Sequence, residues 1–351
     1  PPAAALNVAI STDEEQPLGL LALVNSTLSH TASLAPVHFH LIVPDGMRRP
    51  LRVALEGLFP AAVFRAYSLD GGGVRAKILH HLRRREREPV FVSPFRFAAA
   101  YLPQLLPAVR RVLWLHTDVL IRSDVEPLFR TPLRGAPAAA AEDCAHPLSA
   151  VLNASHVALG GAGLAPTACT FNSGIMLIDL QQWSHLDLTS RVEYWMDQNL
   201  RTSTLYAHET ALPPLLLALL PLYAKLPLDW NVAGLGRRKL SGSERTYWAK
   251  YWTARGASYD APADGPTLAL VRAGGALGDR ARALHFSGVF KPWFKGGGGG
   301  GQGGGAPVSE CEVGDPPLSS TRVPCASLWA PYAAASARTL GWAAPNRSEA
   351  A

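Results

Sequence analysis

The chain has 351 residues, 48% of them hydrophobic and 17% charged, with a formal net charge of +6. That length and balance support a large core, in one domain or two closely joined ones, and exclude an intrinsically disordered protein. The modest charge and the lack of a recognition motif argue against nucleic acid as a partner, and no apolar run reaches the roughly 18 residues needed to cross a bilayer.

The opening reads as strand, loop and helix. Leu6 to Ser11 is apolar, Thr12-Asp13-Glu14 is polar, and Leu18 to Leu28 has helical spacing. A second strand is expected at Val37 to Val43, closed by Pro44-Asp45-Gly46, then a helix that includes Val53 to Leu58, then a strand from Ala62 to Tyr67. This βαβαβ rhythm argues for a doubly wound parallel sheet, which binds ligands in loops at the carboxyl ends of its strands; Thr12-Asp13-Glu14 is one such loop. Arg83, Arg84, Arg85 and Arg87 form a basic run, read as a solvated helix face or a surface for an acidic polysaccharide or anionic membrane.

Pro94 to Leu106 reads as helix and leads into a buried strand, Val112 to Leu115. His116-Thr117-Asp118 separates it from Val119-Leu120-Ile121. Polar residues between two apolar runs mark either a strand end facing a cleft or an ordinary turn. Phe171-Asn172-Ser173-Gly174 precedes the apolar strand Ile175 to Leu180; its Asn and Gly either orient a sugar hydroxyl or make a turn. Ser190 to Asn199 predicts an amphipathic helix with Val192, Trp195 and Met196 in the core. Gly296 to Gly305, broken only by Gln302, reads as a flexible insertion and lacks the G-x-x-x-x-G-K-S/T context of a phosphate loop. The Ala-rich tail after Ala333 is expected to be peripheral.

Three sequons, Asn25-Ser26-Thr27, Asn153-Ala154-Ser155 and Asn346-Arg347-Ser348, point to the secretory pathway. The start at Pro1 without a methionine suggests the luminal part of a longer protein whose N-terminal anchor is missing. The four cysteines, Cys144, Cys169, Cys311 and Cys325, show no C-x-x-C spacing and are compatible with two disulfides. Three connectivities exist; the nearest-neighbour pairing, Cys144–Cys169 and Cys311–Cys325, is the expectation adopted.

The segment Leu284-His285-Phe286-Ser287-Gly288-Val289-Phe290-Lys291-Pro292-Trp293 concentrates groups suited to a metal-bound diphosphate. A neutral imidazole can ligate Mn²⁺ or a similar cation. Glycine lets backbone amides approach phosphate oxygens, and lysine adds a mobile positive charge.

With these residues assembled, the chain resembles glycosyltransferase family 8, and within it the plant and algal galacturonosyltransferase-like branch, from about Leu6 to Tyr332. The resemblance is carried by the His285 to Trp293 segment, by Phe171 to Leu180, by Leu212-Pro213-Pro214, by Trp230-Asn231-Val232-Ala233-Gly234-Leu235-Gly236 and by the terminal Cys325 to Tyr332. It implies a GT-A fold: a Rossmann-like α/β nucleotide-sugar-binding sheet with a smaller acceptor-side region. It implies a catalytic domain over 1–295, the Gly-rich insertion 296–305, a segment 306–332 that completes the domain and a tail 333–351.

The same resemblance implies a UDP-sugar donor, Mn²⁺ or another divalent cation, and retention of anomeric configuration. The acceptor would be a polysaccharide or glycan, as in cell-wall or pectin synthesis in the Golgi or ER lumen by a type II anchored enzyme. Asp118 and His285 would be the metal ligands. The family's Asp-x-Asp is here His116-Thr117-Asp118, so one carboxylate is replaced and His116 becomes a third candidate ligand. Gly288 and Lys291 would hold the diphosphate, Ala9, Thr12 and Asp13 the nucleoside, and Asn172 the donor sugar; Asp13 could instead cap the next helix. Where some members carry an arginine near the sugar this chain has Ala99, with Arg96 one turn earlier. Glu209 is a candidate for stabilising positive charge at C1, or else a surface residue. No catalytic base is evident, so front-face attack with proton transfer to the leaving phosphate is expected. The alternative reading is a degenerate nucleotide-sugar-binding partner subunit of an active transferase.

Overall fold

The computed structural model describes residues 5–14, 17–32, 35–82, 93–153, 155–156, 159, 164–207, 210–233, 235, 281–287, 291–293, 310–313 and 321–342. In chain order the strands are β1 (Leu6–Ser11), β2 (Val37–Ile42), β3 (Val63–Tyr67), β4 (Arg111–Leu115), β5 (Val119–Ile121), β6 (Ala138–Pro147), β7 (Cys169–Asp179), β8 (Ala224–Leu226), β9 (Ala283–His285), β10 (Glu310–Val313) and β11 (Thr321–Pro324). The longer α-helices are α1 (Leu18–His30), α2 (Asp45–Leu58), α3 (Val74–Leu82), α4 (Leu188–Thr202), α5 (Leu212–Leu219) and α6 (Cys325–Thr339). The chain divides into two compact units: Pro1–Glu15, Ser33–His116 and Glu126–Leu226 form the first, Gln16–Ala32, Thr117–Val125 and Pro227–Ala351 the second.

The first unit is built on a seven-stranded sheet in the order β3-β2-β1-β4-β7-β6-β8. Its N-terminal half, β3-β2-β1-β4, is parallel. Near-continuous apolar runs such as Val112 to Leu115 suit strands covered on both faces. The other half departs from the expected all-parallel sheet: β7 runs antiparallel to β4, and β6 antiparallel to β7. A parallel return needs a helical crossover. Between β6 and β7 the described residues provide only the short helix Leu148–Val151, so the chain turns back instead.

Cys144 and Cys169 are disulfide-bonded across this antiparallel pair. That is half of the expected pairing; the side chains of Cys311 and Cys325 lie outside the described residues. So do the basic run at Arg83 to Arg87, the Gly-rich stretch and the Asn346 sequon. Asn153 is exposed, whereas Asn25 sits within α1, where its amide Nδ2 donates to Tyr332 O at 2.8 Å.

In the second unit α1 is apolar almost all round, with Leu20, Leu21, Leu23 and Val24 fully buried, as expected of a core helix. Pro17 occupies its N-cap position, so Asp13 does not cap it. β5 and β9 form an antiparallel pair, as do β10 and β11. Helix α6 continues past Tyr332 to Thr339 with Ala333 fully buried and Ser336 and Ala337 9% exposed. One face of 333–339 is therefore packed rather than peripheral, because the small side chains of Ala333, Ser336 and Ala337 at helical spacing allow close approach, while Ala335, Arg338 and Thr339 are exposed. In α4, Val192 and Met196 are in the core as expected, but Trp195 is only partly buried.

One histidine inside the parallel sheet is kept neutral. His40 on β2 is 1% exposed. Its Nε2–H donates to Asn7 Oδ1 at 3.0 Å, and its Nδ1 accepts from the Tyr67 hydroxyl at 3.1 Å. Burial first, then the nearby Arg65 and His38, pushes its pKa down to about 4. Because the unfolded chain takes up a proton near 6.5 and the folded chain does not until about 4, stability falls as pH drops through that window, by on the order of 2–3 kcal/mol. Denaturant titrations between pH 7 and 4 should show this loss in the wild type and a smaller loss in His40→Gln.

Candidate active site

The pairing of β5 with β9 sets Val119 opposite His285. The Phe286 amide donates to Asp118 O at 2.8 Å, extending the ladder one step beyond β5. On the other side, His285 N donates to Val232 O at 2.9 Å, and Val232 N to Ala283 O at 3.1 Å. Three separate stretches of the second unit thus meet through backbone bonds, and the side chains of His285 and Lys291 converge on the Asp118 carboxylate. His285 Nε2 lies 3.1 Å from Asp118 Oδ1, and Lys291 Nζ lies 2.6 Å from Asp118 Oδ2. Lys291 also donates to Phe286 O at 2.6 Å. The His285 side chain is 3% exposed, Asp118 14% and Lys291 22%, so this charge cluster is shielded from bulk water and its interactions are strong.

Asn231 orients the imidazole. His285 Nδ1 is 3.0 Å from Asn231 Oδ1, so Nδ1 carries the proton and Nε2 is the atom that faces Asp118. A nitrogen lone pair and a carboxylate oxygen at 3.1 Å are held together by a proton or a cation between them. Two adjacent ligands of an octahedral ion at about 2.1 Å lie about 3 Å apart, which is the separation found here. The donor set of imidazole nitrogen and carboxylate oxygen also suits Mn²⁺ or a similar ion. Asp118 and His285 can therefore hold a divalent cation, with Asn231 as the outer partner that such imidazole ligands characteristically have. In the sequence, Asn231 stands out only as a polar residue inside a run of apolar and small ones, Trp230 to Gly236, and nothing local gives it this role.

His116 is the last residue of the first unit and stands two positions before Asp118, which limits their Cα separation to about 7 Å. Its amide donates to Gly174 O at 2.9 Å, and its ring packs edge-on against Trp114 at 6.1 Å. Gly19 of α1 explains how the loop before β5 is seated. A Cβ added there would lie 2.5 Å from Thr117 O and 2.8 Å from the Trp293 ring. Only glycine lets the helix touch the Asp118 loop and the segment after Lys291 together. Trp293 in turn packs on Trp329 of α6 at 5.7 Å.

The remaining named residues, Gly288 apart, belong to the first unit. Ala9 is buried in β1, Thr12 Oγ1 accepts from Glu14 N at 3.2 Å, and Asp13 is exposed. Ser11 Oγ donates to Phe95 O at 2.7 Å, tying the end of β1 to the 3₁₀ helix Pro94–Tyr101. In a 3₁₀ helix residues three apart eclipse, so Arg96 and Ala99 share a face; Arg96 is exposed and Ala99 buried. Asn172 lies within β7 rather than in a turn. Ala140 pairs with Met176 and the next residue, Ala141, with Asn172, so Ser173, Gly174 and Ile175 bulge out, and Asn172 Oδ1 accepts from Gly174 N at 2.9 Å. Bulges recur beside active sites, where they re-aim side chains. Glu209 and Gly288 lie outside the described residues.

The Glycosyl transferase family 8 model matches residues 7–297. The chain belongs to glycosyltransferase family 8. Among its relatives, Probable galacturonosyltransferase-like 6 of Arabidopsis thaliana is 31% identical over 68% of this chain and 68% of that protein. Probable galacturonosyltransferase-like 7 of Arabidopsis thaliana is 28% identical over 93% and 75%. Glycosyltransferase 8 domain-containing protein 1 of Xenopus laevis is 27% identical over 82% and 74%. Among solved structures, the galactosyltransferase LgtC has a TM-score of 0.53 at 17% identity, covering 83% of this chain and 90% of its own. The bifunctional glycosyltransferase WbbM reaches 0.57 at 17% identity, over 84% of this chain and about half (47%) of its own length. These likenesses establish the GT-A fold of the family 8 chain, and the membership supports a glycosyltransferase that uses a nucleotide-sugar donor and a glycan acceptor.

Replacing the acceptor of the Nδ1 proton should loosen the metal pair without removing a ligand. Asn231→Leu is expected to weaken Mn²⁺ binding, followed by electron paramagnetic resonance, by 10- to 100-fold while circular dichroism is unchanged. Gly19→Ala is expected to cost about 1–3 kcal/mol in denaturant stability, since a backbone atom blocks the new methyl.

Proposed function

We propose that this family 8 chain is a retaining transferase that moves a hexose or hexuronic acid from a UDP-sugar to a polysaccharide or glycan. In this reading Asp118 and His285 hold Mn²⁺ or another divalent cation, with His116 as third ligand. The observation that carries it is the convergence of His285 Nε2, oriented by Asn231, and Lys291 Nζ on the two oxygens of Asp118. A bound divalent cation supplies Lewis acidity and neutralises the diphosphate as the C1–O bond breaks. Lys291, already held beside the site, offers its ammonium to the phosphate oxygens, and the Gly288 amide adds to it.

Ala9, Thr12 and Asp13 are proposed to receive the nucleoside, since they stand at the carboxyl end of a parallel strand, where such folds bind ligands. Asn172 is proposed to contact the donor sugar from the β7 bulge, and the exposed Arg96 to pair with a donor carboxylate. Glu209 is proposed to face the developing charge at C1. The acceptor hydroxyl attacks from the side of the leaving group and passes its proton to the departing phosphate oxygen, so no separate base is needed.

The names of the plant relatives support pectin-type synthesis. The Cys144–Cys169 disulfide supports an oxidising lumen such as the Golgi or ER. No helix among the described residues is long and apolar enough to cross a membrane. A second reading, a non-catalytic partner subunit, draws on His116 in place of a carboxylate and on the ion pair that already neutralises Asp118.

Calorimetric titration with UDP separates the two. Binding that requires Mn²⁺, lost in His285→Ala and weakened roughly 10- to 100-fold in Lys291→Ala, is the expected result. UDP binding indifferent to Mn²⁺ would assign the chain to the partner-subunit reading.

A further inference from the structure

Helices α4 and α5 border a cleft of about 410 Å³ on the first unit, lined by Arg191, Tyr194 and Trp195 on one side and Leu217, Ala218 and Pro221 on the other. Arg191, Tyr194 and Trp195 are spaced i, i+3 and i+4, so they share one helix face. The Tyr194 side is open: the residue is 53% exposed, one of few large hydrophobic groups so placed among the described residues. Its ring meets that of Trp195 at 5.1 Å and 73°, so one ring turns a face where the other turns an edge. The carboxylates of the same helix are already engaged, Glu193 by Lys77 and Asp197 by Arg201. Ser190 donates its hydroxyl to Asp187 at 2.8 Å. Arg191 is exposed and forms no ion pair among the described residues.

These features select a ligand class. The cleft has the volume of a small-ligand site. A single cation does not make an anionic membrane surface, which takes a cluster of basic residues. The exposed Tyr194 ring and the half-buried Trp195 ring, flanked by Leu217 and Pro221, offer apolar faces to the C–H faces of pyranose rings. The planar guanidinium beside them matches a carboxylate with two parallel hydrogen bonds. Sugar ring and carboxylate together describe a uronic acid.

We propose that the α4–α5 cleft is a docking subsite for an acidic, uronate-bearing glycan chain. Arg191 pairs with a carboxylate, and Tyr194 and Trp195 stack on the sugar rings. The inference rests on the transferase reading only in taking the acceptor to be a polymer long enough to touch the protein at a second place; the cleft itself needs neither nucleotide nor metal.

The test titrates the full chain with a galacturonate hexasaccharide in the absence of UDP and Mn²⁺, with a neutral galactose oligomer of equal length as control. Binding of the acidic chain that weakens with salt, falls at least roughly tenfold in Arg191→Gln and falls again in Tyr194→Ser is expected. No binding, equal binding of the neutral chain, or binding unchanged in both variants would overturn the proposal. So would self-association of the chain, seen by light scattering and abolished by Tyr194→Ser, which would assign the face to a second copy. A parallel UDP–Mn²⁺ titration keeps the two readings apart. Uronate binding without UDP binding sinks the transferase and leaves the subsite, and the reverse sinks the subsite alone.

Discussion

A single carboxylate organises the candidate site. Asp118 is placed by the backbone ladder that joins β5 to β9, and its two oxygens are shared between an imidazole and an ammonium. Each contact constrains the others. His285 can face Asp118 only in the orientation that Asn231 sets, and Lys291 is anchored a second time on the carbonyl of Phe286, the residue whose amide binds back to Asp118. Burial makes the arrangement exacting, because an unbalanced charge in a low-dielectric setting is costly. The Lys291 ammonium balances the charge of the carboxylate, and His285 Nε2 and Asp118 Oδ1 stand at the spacing of two ligands of a divalent ion.

Loss of the usual first carboxylate bears on that balance. With His116 in place of an acid, the cluster carries one formal negative charge fewer, and hard-ion affinity should lean towards transition metals over Mg²⁺.

Supporting structure is spread through packing rather than through further charges. Gly19 allows α1 to press against Thr117 and Trp293 at once, and Trp329 backs Trp293 from the terminal helix. In the first unit, the bulge of β7 takes Ser173, Gly174 and Ile175 out of the β6 register while Gly174 O still accepts from the amide of His116. His40 shows the opposite use of a polar residue: it is held neutral between Asn7 and Tyr67 and serves the parallel sheet, not the chemistry.

Local patterns in the sequence determined the parallel half of the sheet, the buried helix at Leu18 and the strand at Ile175, because apolar periodicity records which faces must leave water. The ordered series of matches along the chain, Phe171 to Leu180, Leu212-Pro213-Pro214, Trp230 to Gly236, His285 to Trp293 and Cys325 to Tyr332, carried the family and with it the candidate ligands; no one of them is specific alone, but together and in that order they have few other reasons to occur. Tertiary structure alone decided the antiparallel return of β7, the bulge at Asn172, the engagement of Asn25 by Tyr332 and the role of Asn231. None of these leaves a trace within a short window: each depends on which distant backbone or side-chain group arrives beside it. Asn231 lies 54 positions from His285 in the chain, and only the β5–β9 pairing with its Val232 bridge brings its carbonyl oxygen to the ring nitrogen that sets the imidazole against Asp118.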